Sequence, residues 1–491
     1  MHTSSLYRSL RSSIRDNYLL LIIILLGLIL RIYDIGGESL WLDEFISLKF
    51  ARLDLGGIIG RIYYDSENNP PLYFMFLHYW IVLFGDSEAS LRMTTVVFNT
   101  ASIIVLYMLG RALFNKKTGL LASLIFSVSA YQIYYSQEAR AYSLMVLLGL
   151  LSLLFLVRLM NKFDLRSAFG YVLFSGLLLY THYYGLLIIA AENLYFFSIM
   201  LVRRSGKKKE FITWISLQVI LSVLFVPGFS MLMAGHALEE GFWLSKPDLA
   251  IMFDSFVLYS GSRPLWALFS ILSLFAIVYA LVILYKNRSE NSVNTIRRMF
   301  INNESDVKSI YLLLILIVVM TVIPYVVSHV YRPVYHDRYS ILASSALYLL
   351  VAKGIDNIRI RRIQYLIVLL ILVLSFFNIY EYYKRVDKHQ WREAIEYIES
   401  EAGYGDVLMV YPPFESYGAG YYLDRKDLKA RPFSDRSELV LDIGGKKLWI
   451  ILSDKIYDGN VNQEALENLY RIIKIQEYKG LIVYLVADKA Q

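Results

Sequence analysis

Asp43 and Glu44 stand side by side in the stretch Trp41-Leu42-Asp43-Glu44 of a 491-residue chain in which only 19% of residues are charged. Adjacent carboxylates can be ordinary solvated loop charges. Here Trp41, Phe45 and Leu48 flank the pair and make the segment amphipathic, which predicts a helix held against a membrane surface. A partly buried carboxylate has a raised pKa and can serve as a general base. Neighbours on a helix point about 100° apart, so one of the two is expected to deprotonate and the other to bind.

Four further groups could join them. Asn69-Pro70-Pro71 precedes a short apolar stretch and reads as a rigid entry turn, with a proline at the first helical position and Asn69 as N-cap near the positive helix end. Gln137, Glu138 and Arg140 crowd a tight turn between two apolar runs, where charges are costly and are usually paired or functional. His182 and Tyr183 occupy another such turn, the histidine being either an interfacial hydrogen-bonding residue or a catalyst. His336-Asp337-Arg338-Tyr339 opens a later run. Arg338 could snorkel to headgroups or hold a phosphate bidentately.

The elements that must position these residues are membrane helices. Hydrophobic residues make up 57% of the chain and fall in runs near the length that crosses ~30 Å of hydrocarbon. Spans are expected at about 18–33, 93–112, 119–135, 141–159, 167–181, 184–202, 211–232, 264–285, 309–328, 339–353 and 363–380. No small-residue cleavage site follows the first run, which reads as a retained signal anchor. The formal charge of +7 does not indicate nucleic acid, because the basic residues fall between the apolar runs. With no cysteine, disulfides and thiolate chemistry are excluded.

Lys and Arg set the orientation. Twenty-three of them lie in six clusters: 8–15, 111–117, 158–166, 203–209, 286–308 and 353–362. Cytoplasmic loops carry that excess. Pro71 to Phe84 is too short to span, covering roughly 21 Å, and reads as an interfacial or re-entrant helix. The N-terminus is then cytoplasmic, and residues 34–92 form a long first outer loop. A second outer segment, about 233–263, has room for a short helix. Beyond Tyr380 the composition turns mixed and charged. A helix at 391–400, strands at 407–411, 448–452 and 481–486, and a helix at 463–475 predict a soluble α/β domain over 385–491, outside, following a membrane domain over 1–384. In this topology every candidate residue reaches one face.

The motifs WLDE (41–44), NPPLYFMFLHYW (69–80), FGDSEASLR (84–92), YYSQEARAYSL (134–144), THYYG (181–185), HDRYSILA (336–343) and KHQWREAIEYI (388–398) resemble the GT-C superfamily of membrane glycosyltransferases. The chain is similar to the branch with the protein O-mannosyltransferases and the aminoarabinose transferase of lipid A. The resemblance implies transfer of a sugar from a polyprenyl- or dolichyl-phosphate donor to a hydroxyl on a lipid, glycan or protein, by a single inverting displacement. It gives the base role to Asp43. It gives substrate binding to Glu44, Asn69, Arg92, Gln137, Glu138, Arg140, His182, Tyr183, His336, Arg338 and Tyr339, with Arg140 and Arg338 on the donor phosphate. Related sequences often have His where Asn69 stands. Some members bind a divalent cation, and nothing in this sequence fixes a cofactor.

Two other classes make different demands. A lipid-linked sugar flippase or transporter needs charge at mid-membrane depth, where Glu192 is the main case. A non-catalytic glycan-binding membrane protein needs no base at Asp43.

Overall fold

The computed structural model describes residues 18–64, 69–203, 208–238, 244–286, 305–439, 446–453 and 463–489. Arg8, Arg11, Arg15, Arg204, Lys207, Arg288, Arg297 and Arg298 of the basic clusters lie outside these residues. Helices follow in the order α1 Tyr18–Ile32, α2 Leu42–Ala51, α3 Leu55–Tyr64, α4 Leu72–Phe84, α5 Glu88–Leu113, α6 Lys116–Ser127, α7 Ala130–Ser136 and α8 Tyr142–Asn161. Then come α9 Leu165–Leu179, α10 Gly185–Arg203, α11 Lys208–Leu238, α12 Leu249–Ser260, α13 Arg263–Lys286, α14 Ser305–Val330, α15 Leu342–Asn357 and α16 Arg361–Lys384.

The chain is a multi-pass membrane protein. Among the described residues, α5, α8, α10, α11, α13, α14 and α16 are long and apolar enough to cross a bilayer, while α1, α4, α9 and α12 are apolar but shorter. The segment expected as one span at 119–135 is two helices. Ser129 breaks it: its extended backbone and its hydroxyl, which accepts from Gln132 N, cap α7 afresh. Helix α5 starts at Glu88, capped by Ser87, so Arg92 sits in a helix rather than in the loop. Helices α5 and α6 meet at glycines, where a Cβ on Gly110 would lie 2.8 Å from the Gly119 Cα. Small residues of this kind let helix backbones approach closely in membranes.

The bundle has two distinct ends. At one, Asn115 donates to Asp356, Lys117 and Asp356 pair at 3.1 Å, and Lys353 pairs with Asp306. At the other, hydrogen bonds join the turns 137–141 and 331–341 to the segment carrying Asp43 and Glu44, and the turn 180–184 to 331–341. The first is the end with the basic clusters.

After α16 come α17 Trp391–Glu401, β1 Val407–Tyr411, α18 Ser416–Tyr422, β2 Ala430–Pro432, β3 Leu448–Ser453, α19 Gln463–Leu469, β4 Tyr470–Tyr478 and β5 Leu481–Asp488. The strands form one sheet in the order β2-β1-β3-β5-β4. β1 runs parallel to β2 and β3, and β5 runs antiparallel to β3 and β4. The helix expected over 463–475 therefore stops at Leu469. Tyr470 to Tyr478 pairs with β5, with a register shift between Ile472 and Lys474, and that ladder outweighs helical spacing.

This C-terminal module grips the first loop. Arg392 pairs with Glu88 at 2.7 Å and donates to Gly37 O, Ser39 bonds Glu393, and the Tyr422 hydroxyl donates to Glu88 and accepts from Leu40 N. Helix α2 was expected to lay its apolar face on the membrane. Instead Phe45 packs on the Tyr421 and Tyr422 rings and Phe50 stacks on Phe74 of α4. Burial of α2 by protein on both sides fixes the direction of Asp43.

Candidate active site

Glu44 is fully buried, and every direction from its carboxylate meets a donor. Arg92 Nε and Nη2 grip Oε1 and Oε2 at 2.8 Å each, the Ala139 N–H donates to Oε1 at 3.0 Å, and Lys388 Nζ donates to Oε2 at 3.2 Å. Burial would raise the Glu44 carboxyl, but the charges of Arg92 and Lys388 overrule it and hold it at about 2. Arg92 spends its remaining N–H groups on the carbonyls of Ile35, Glu38 and Ser39. Lys388 also donates to Gln137 O at 2.7 Å. One carboxylate thus ties together the first loop, α5, the 137–141 turn and the lead into the C-terminal module. Glu44 and Arg92, expected as substrate ligands, are engaged with each other and away from open space.

Asp43 points elsewhere, as helical geometry requires. Its Oδ2 accepts from Arg338 Nη1 at 2.7 Å, and Arg140 Nη1 lies 3.4 Å from its carbonyl oxygen. The Arg338 guanidinium rests on two ring faces, with Tyr142 at 5.7 Å and Tyr339 at 5.5 Å. Its neighbour His336 pairs through Nδ1 with Asp337 at 2.7 Å. The Asp43 side chain retains 15% exposure, against none for Glu44. An arginine held flat on aromatic rings keeps its charge and presents a planar fork suited to phosphate.

Two titratable groups line this cluster. Neither carboxylate oxygen of Glu138 has a hydrogen-bond partner among the described residues. Burial pushes its carboxyl from 4.5 up to about 7, opposed by Arg338 and reinforced by Asp43. Between pH 4.5 and about 7 the folded chain keeps a proton that the unfolded chain has lost. Stability therefore falls as pH rises through that window, and the contribution is gone above it. Glu138→Gln is expected to flatten this dependence and to unfold at a higher temperature than the natural sequence above pH 7. Thermal unfolding in nanodiscs from pH 5 to 8 checks this, and an identical slope in both proteins would contradict it.

His182 is buried among Tyr142, Tyr184 and Tyr339. Burial, with Arg140 and Arg338 adding to it, lowers its pKa to about 3. The Tyr184 N–H donates to Nδ1, so the neutral ring carries its proton on Nε2. At ordinary pH this histidine can donate a hydrogen bond but cannot hold a positive charge.

Asp43, Glu138, Arg140, His182, His336, Arg338 and Tyr339 thus gather in one cluster, and Tyr183 lies in the same turn as His182. Gln137 has a different use: its amide donates to the carbonyls of Arg31 and Tyr33 and accepts from the Tyr382 hydroxyl, bracing α1 and α16. Asn69 is buried, but it does not cap the short helix. That helix starts at Leu72 with Pro71 at the N-cap position, and its first N–H donates to Tyr180 O. Lys388 and Tyr142 were not singled out from sequence. Lys388 stands at the head of the KHQWREAIEYI motif, which was the available signal. Tyr142 lies within the motif YYSQEARAYSL (134–144), which was its available signal.

Among the described residues, no group of three His, Cys, Asp or Glu side chains is placed to hold a metal ion by itself. Positive charge beside Asp43 comes from Arg338 and Arg140.

Residues 68–230 match the family described as dolichyl-phosphate-mannose-protein mannosyltransferase. No curated protein matches the chain by sequence. Solved structures do match over nearly its whole length. The apo oligosaccharyltransferase of Archaeoglobus fulgidus is 11% identical, with 96% of this chain and 74% of that one covered at a TM-score of 0.58. The same organism's AglB, in complex with an inhibitory peptide and a dolichol-phosphate, is 12% identical over 97% and 75% at 0.55. ArnT from Cupriavidus metallidurans bound to undecaprenyl phosphate is 12% identical over 96% and 98% at 0.51. At these identities the likeness establishes the fold, which is the GT-C fold expected from the motifs.

Proposed function

We propose that this GT-C chain is a glycosyltransferase that moves a sugar from a polyprenyl-phosphate donor to a hydroxyl on a lipid, glycan or protein. The observation that carries the reading is the Asp43–Arg338 pair, a carboxylate and a ring-mounted guanidinium 2.7 Å apart at the end of the bundle opposite the basic clusters. The match to the mannosyltransferase family and the lipid phosphates bound to two proteins of the same fold support it.

The arrangement suggests a sequence of events. Without donor, Arg338 and Asp43 satisfy each other. A donor phosphate competes for the guanidinium, which can take two phosphate oxygens at once. That transfer of partner releases Asp43. The acceptor hydroxyl then attacks the anomeric carbon from the face opposite the phosphate and gives its proton to Asp43. As the carbon–oxygen bond to phosphate breaks, Arg338, with Arg140 behind it, balances the charge left on the lipid phosphate. His182 serves as a neutral donor to the sugar, and Tyr339 forms part of its wall. Glu44 and Arg92 are positioning residues that set α2 against α5. The basic clusters support a cytoplasmic N-terminus and an outer module beyond the opposite face.

The transport reading has no observation in its favour. Glu192, the residue such a reading would use, is satisfied within the bundle by Ser152 at 2.7 Å and Tyr171 at 3.0 Å.

Binding of undecaprenyl phosphate to purified protein in nanodiscs tests the phosphate role. Arg338→Ala is expected to weaken it by about tenfold or more, as loss of a charged hydrogen-bonding pair does. Unchanged affinity would remove Arg338 from that role.

A further inference from the structure

Two buried side chains in the Asp43 cluster end in polar atoms with no hydrogen-bond partner among the described residues: both carboxylate oxygens of Glu138 and the hydroxyl of Tyr142. Each residue is only 1% exposed. Buried polar groups are paired in the great majority of cases, so two exceptions in one cluster call for an explanation. Loose placement does not supply one. The turn that carries Glu138 is pinned on both sides of it, the Ala139 N–H by Glu44 at 3.0 Å and the Gln137 carbonyl by Lys388 Nζ at 2.7 Å. Tyr142 is the first residue of α8, and its ring packs among those of Tyr135, His182 and Tyr339, with centres 5.5, 6.0 and 6.2 Å away.

Arg338 is the neighbour both share. Its guanidinium lies over the Tyr142 and Tyr339 rings, pairs with Asp43 at 2.7 Å and is within electrostatic reach of Glu138. The place it occupies is therefore bounded by Asp43, Glu138, Tyr142 and Tyr339. In the proposed reaction donor phosphate draws the guanidinium off Asp43. The place it leaves then opens beside the phosphate, where the donor carries its sugar. Glu138 does not suit the phosphate itself, because an ionised carboxylate repels it. Hydroxyls suit both groups. A phenol donates and accepts. Burial holds the Glu138 carboxyl up at about 7, with Arg338 and Lys388 opposing and Asp43 and Glu44 reinforcing, so this group too can donate as well as accept.

We infer that Glu138 and Tyr142 are specificity-determining residues that hydrogen-bond hydroxyls of the donor sugar, and that they select a sugar keeping those hydroxyls over its deoxy counterparts. A site whose buried polar groups are completed only by substrate hydroxyls rejects an analogue lacking one far more strongly than an apolar pocket rejects a missing methylene. The same two groups stay unpaired in the resting chain because the guanidinium, which can only donate, stands where the sugar will lie and bonds Asp43 instead. The inference rests on the transferase reading for the word donor, while the binding itself does not depend on catalysis.

The test measures equilibrium binding to the full chain in nanodiscs of bare undecaprenyl phosphate, of a panel of neutral undecaprenyl-phosphate hexoses and pentoses, and of monodeoxy versions of the tightest binder. At least one sugar is expected to raise affinity over the bare lipid by about tenfold or more. Tyr142→Phe keeps the ring under Arg338, so it should lose most of that gain while binding the bare lipid within about twofold of the natural sequence. It deletes a hydroxyl that has no partner, so its thermal unfolding should not fall, which is the folding control. One monodeoxy donor should bind the natural chain as weakly as the full donor binds Tyr142→Phe, and should lose nothing further in that variant. Glu138→Leu should lose the gain as well, and Glu138→Gln, whose amide still donates and accepts, should keep it. No gain from any sugar, a gain that every monodeoxy donor keeps, or equal losses of bare-lipid and sugar-lipid binding in Tyr142→Phe and Glu138→Leu overturns the inference. The two readings fail separately. A chain that shows the sugar preference but turns over no donor keeps this site and sinks the transferase, and turnover without the preference does the reverse.

Discussion

Asp43→Asn is expected to reduce sugar transfer by about 10²–10⁴-fold, the range lost with a positioned general base, while donor binding is retained or improved. The two effects have one cause. In the resting arrangement Asp43 competes with donor phosphate for the Arg338 guanidinium, held by it at 2.7 Å. An amide of the same shape fills the same space and can still accept a hydrogen bond, so the bundle is undisturbed. It carries no charge, so its hold on Arg338 weakens and the phosphate meets less competition. It also cannot take a proton from the acceptor hydroxyl. Single-turnover transfer and equilibrium binding of polyprenyl phosphate, measured on the same preparation, separate rate from affinity. A fall in donor affinity that accounts for the whole loss of rate would make Asp43 a binding residue instead.

Glu44→Ala is expected to produce the largest loss of stability of any single change in the site. It leaves the Arg92 guanidinium and the Lys388 ammonium buried without the carboxylate they share. Breaking a buried pair by removing one partner costs about 3–5 kcal/mol, and here one removal strands two cations. The first loop, α5 and the C-terminal module should loosen together, because that carboxylate joins them. Replacing Glu44 and Arg92 together by apolar residues of similar size should restore part of the loss, since the cost lies in the uncompensated charge. Thermal unfolding in nanodiscs reads both. A Glu44→Ala protein with undiminished stability but lost sugar binding would return Glu44 to the role its motif suggested.

The contrast between these neighbours marks the limit of what the sequence discloses. Helical spacing already required that Asp43 and Glu44 diverge, and the apolar runs with their basic clusters placed the candidates at one end of a bundle. Asp43, Arg140, His182 and Arg338 converge there, because turns between consecutive helices share an end of the bundle whatever their details. The partner of each side chain was not legible. Glu44 finds Arg92 48 positions away and Lys388 344 positions away, and no local pattern announces such pairings. Gln137 looked like part of a charged turn but braces α1 and α16, since a buried turn must satisfy its neighbours' carbonyls. Ser129 splits one apolar run into two helices through a cap that only the bundle's interior rewards, with the Tyr348 hydroxyl 2.8 Å away. In the C-terminal module the central strands were readable as short apolar runs. Strand β4, exposed along one face, was hidden by a periodicity that suits helix and strand alike.

The most direct measurement incubates the purified chain in lipid with a panel of polyprenyl-phosphate sugars and follows release of polyprenyl phosphate. The expected result is turnover of at least one donor by the natural sequence and about 10²–10⁴-fold less by Asp43→Asn under the same conditions. Release of polyprenyl phosphate by Asp43→Asn at the natural rate, or from no donor by either protein, would contradict it.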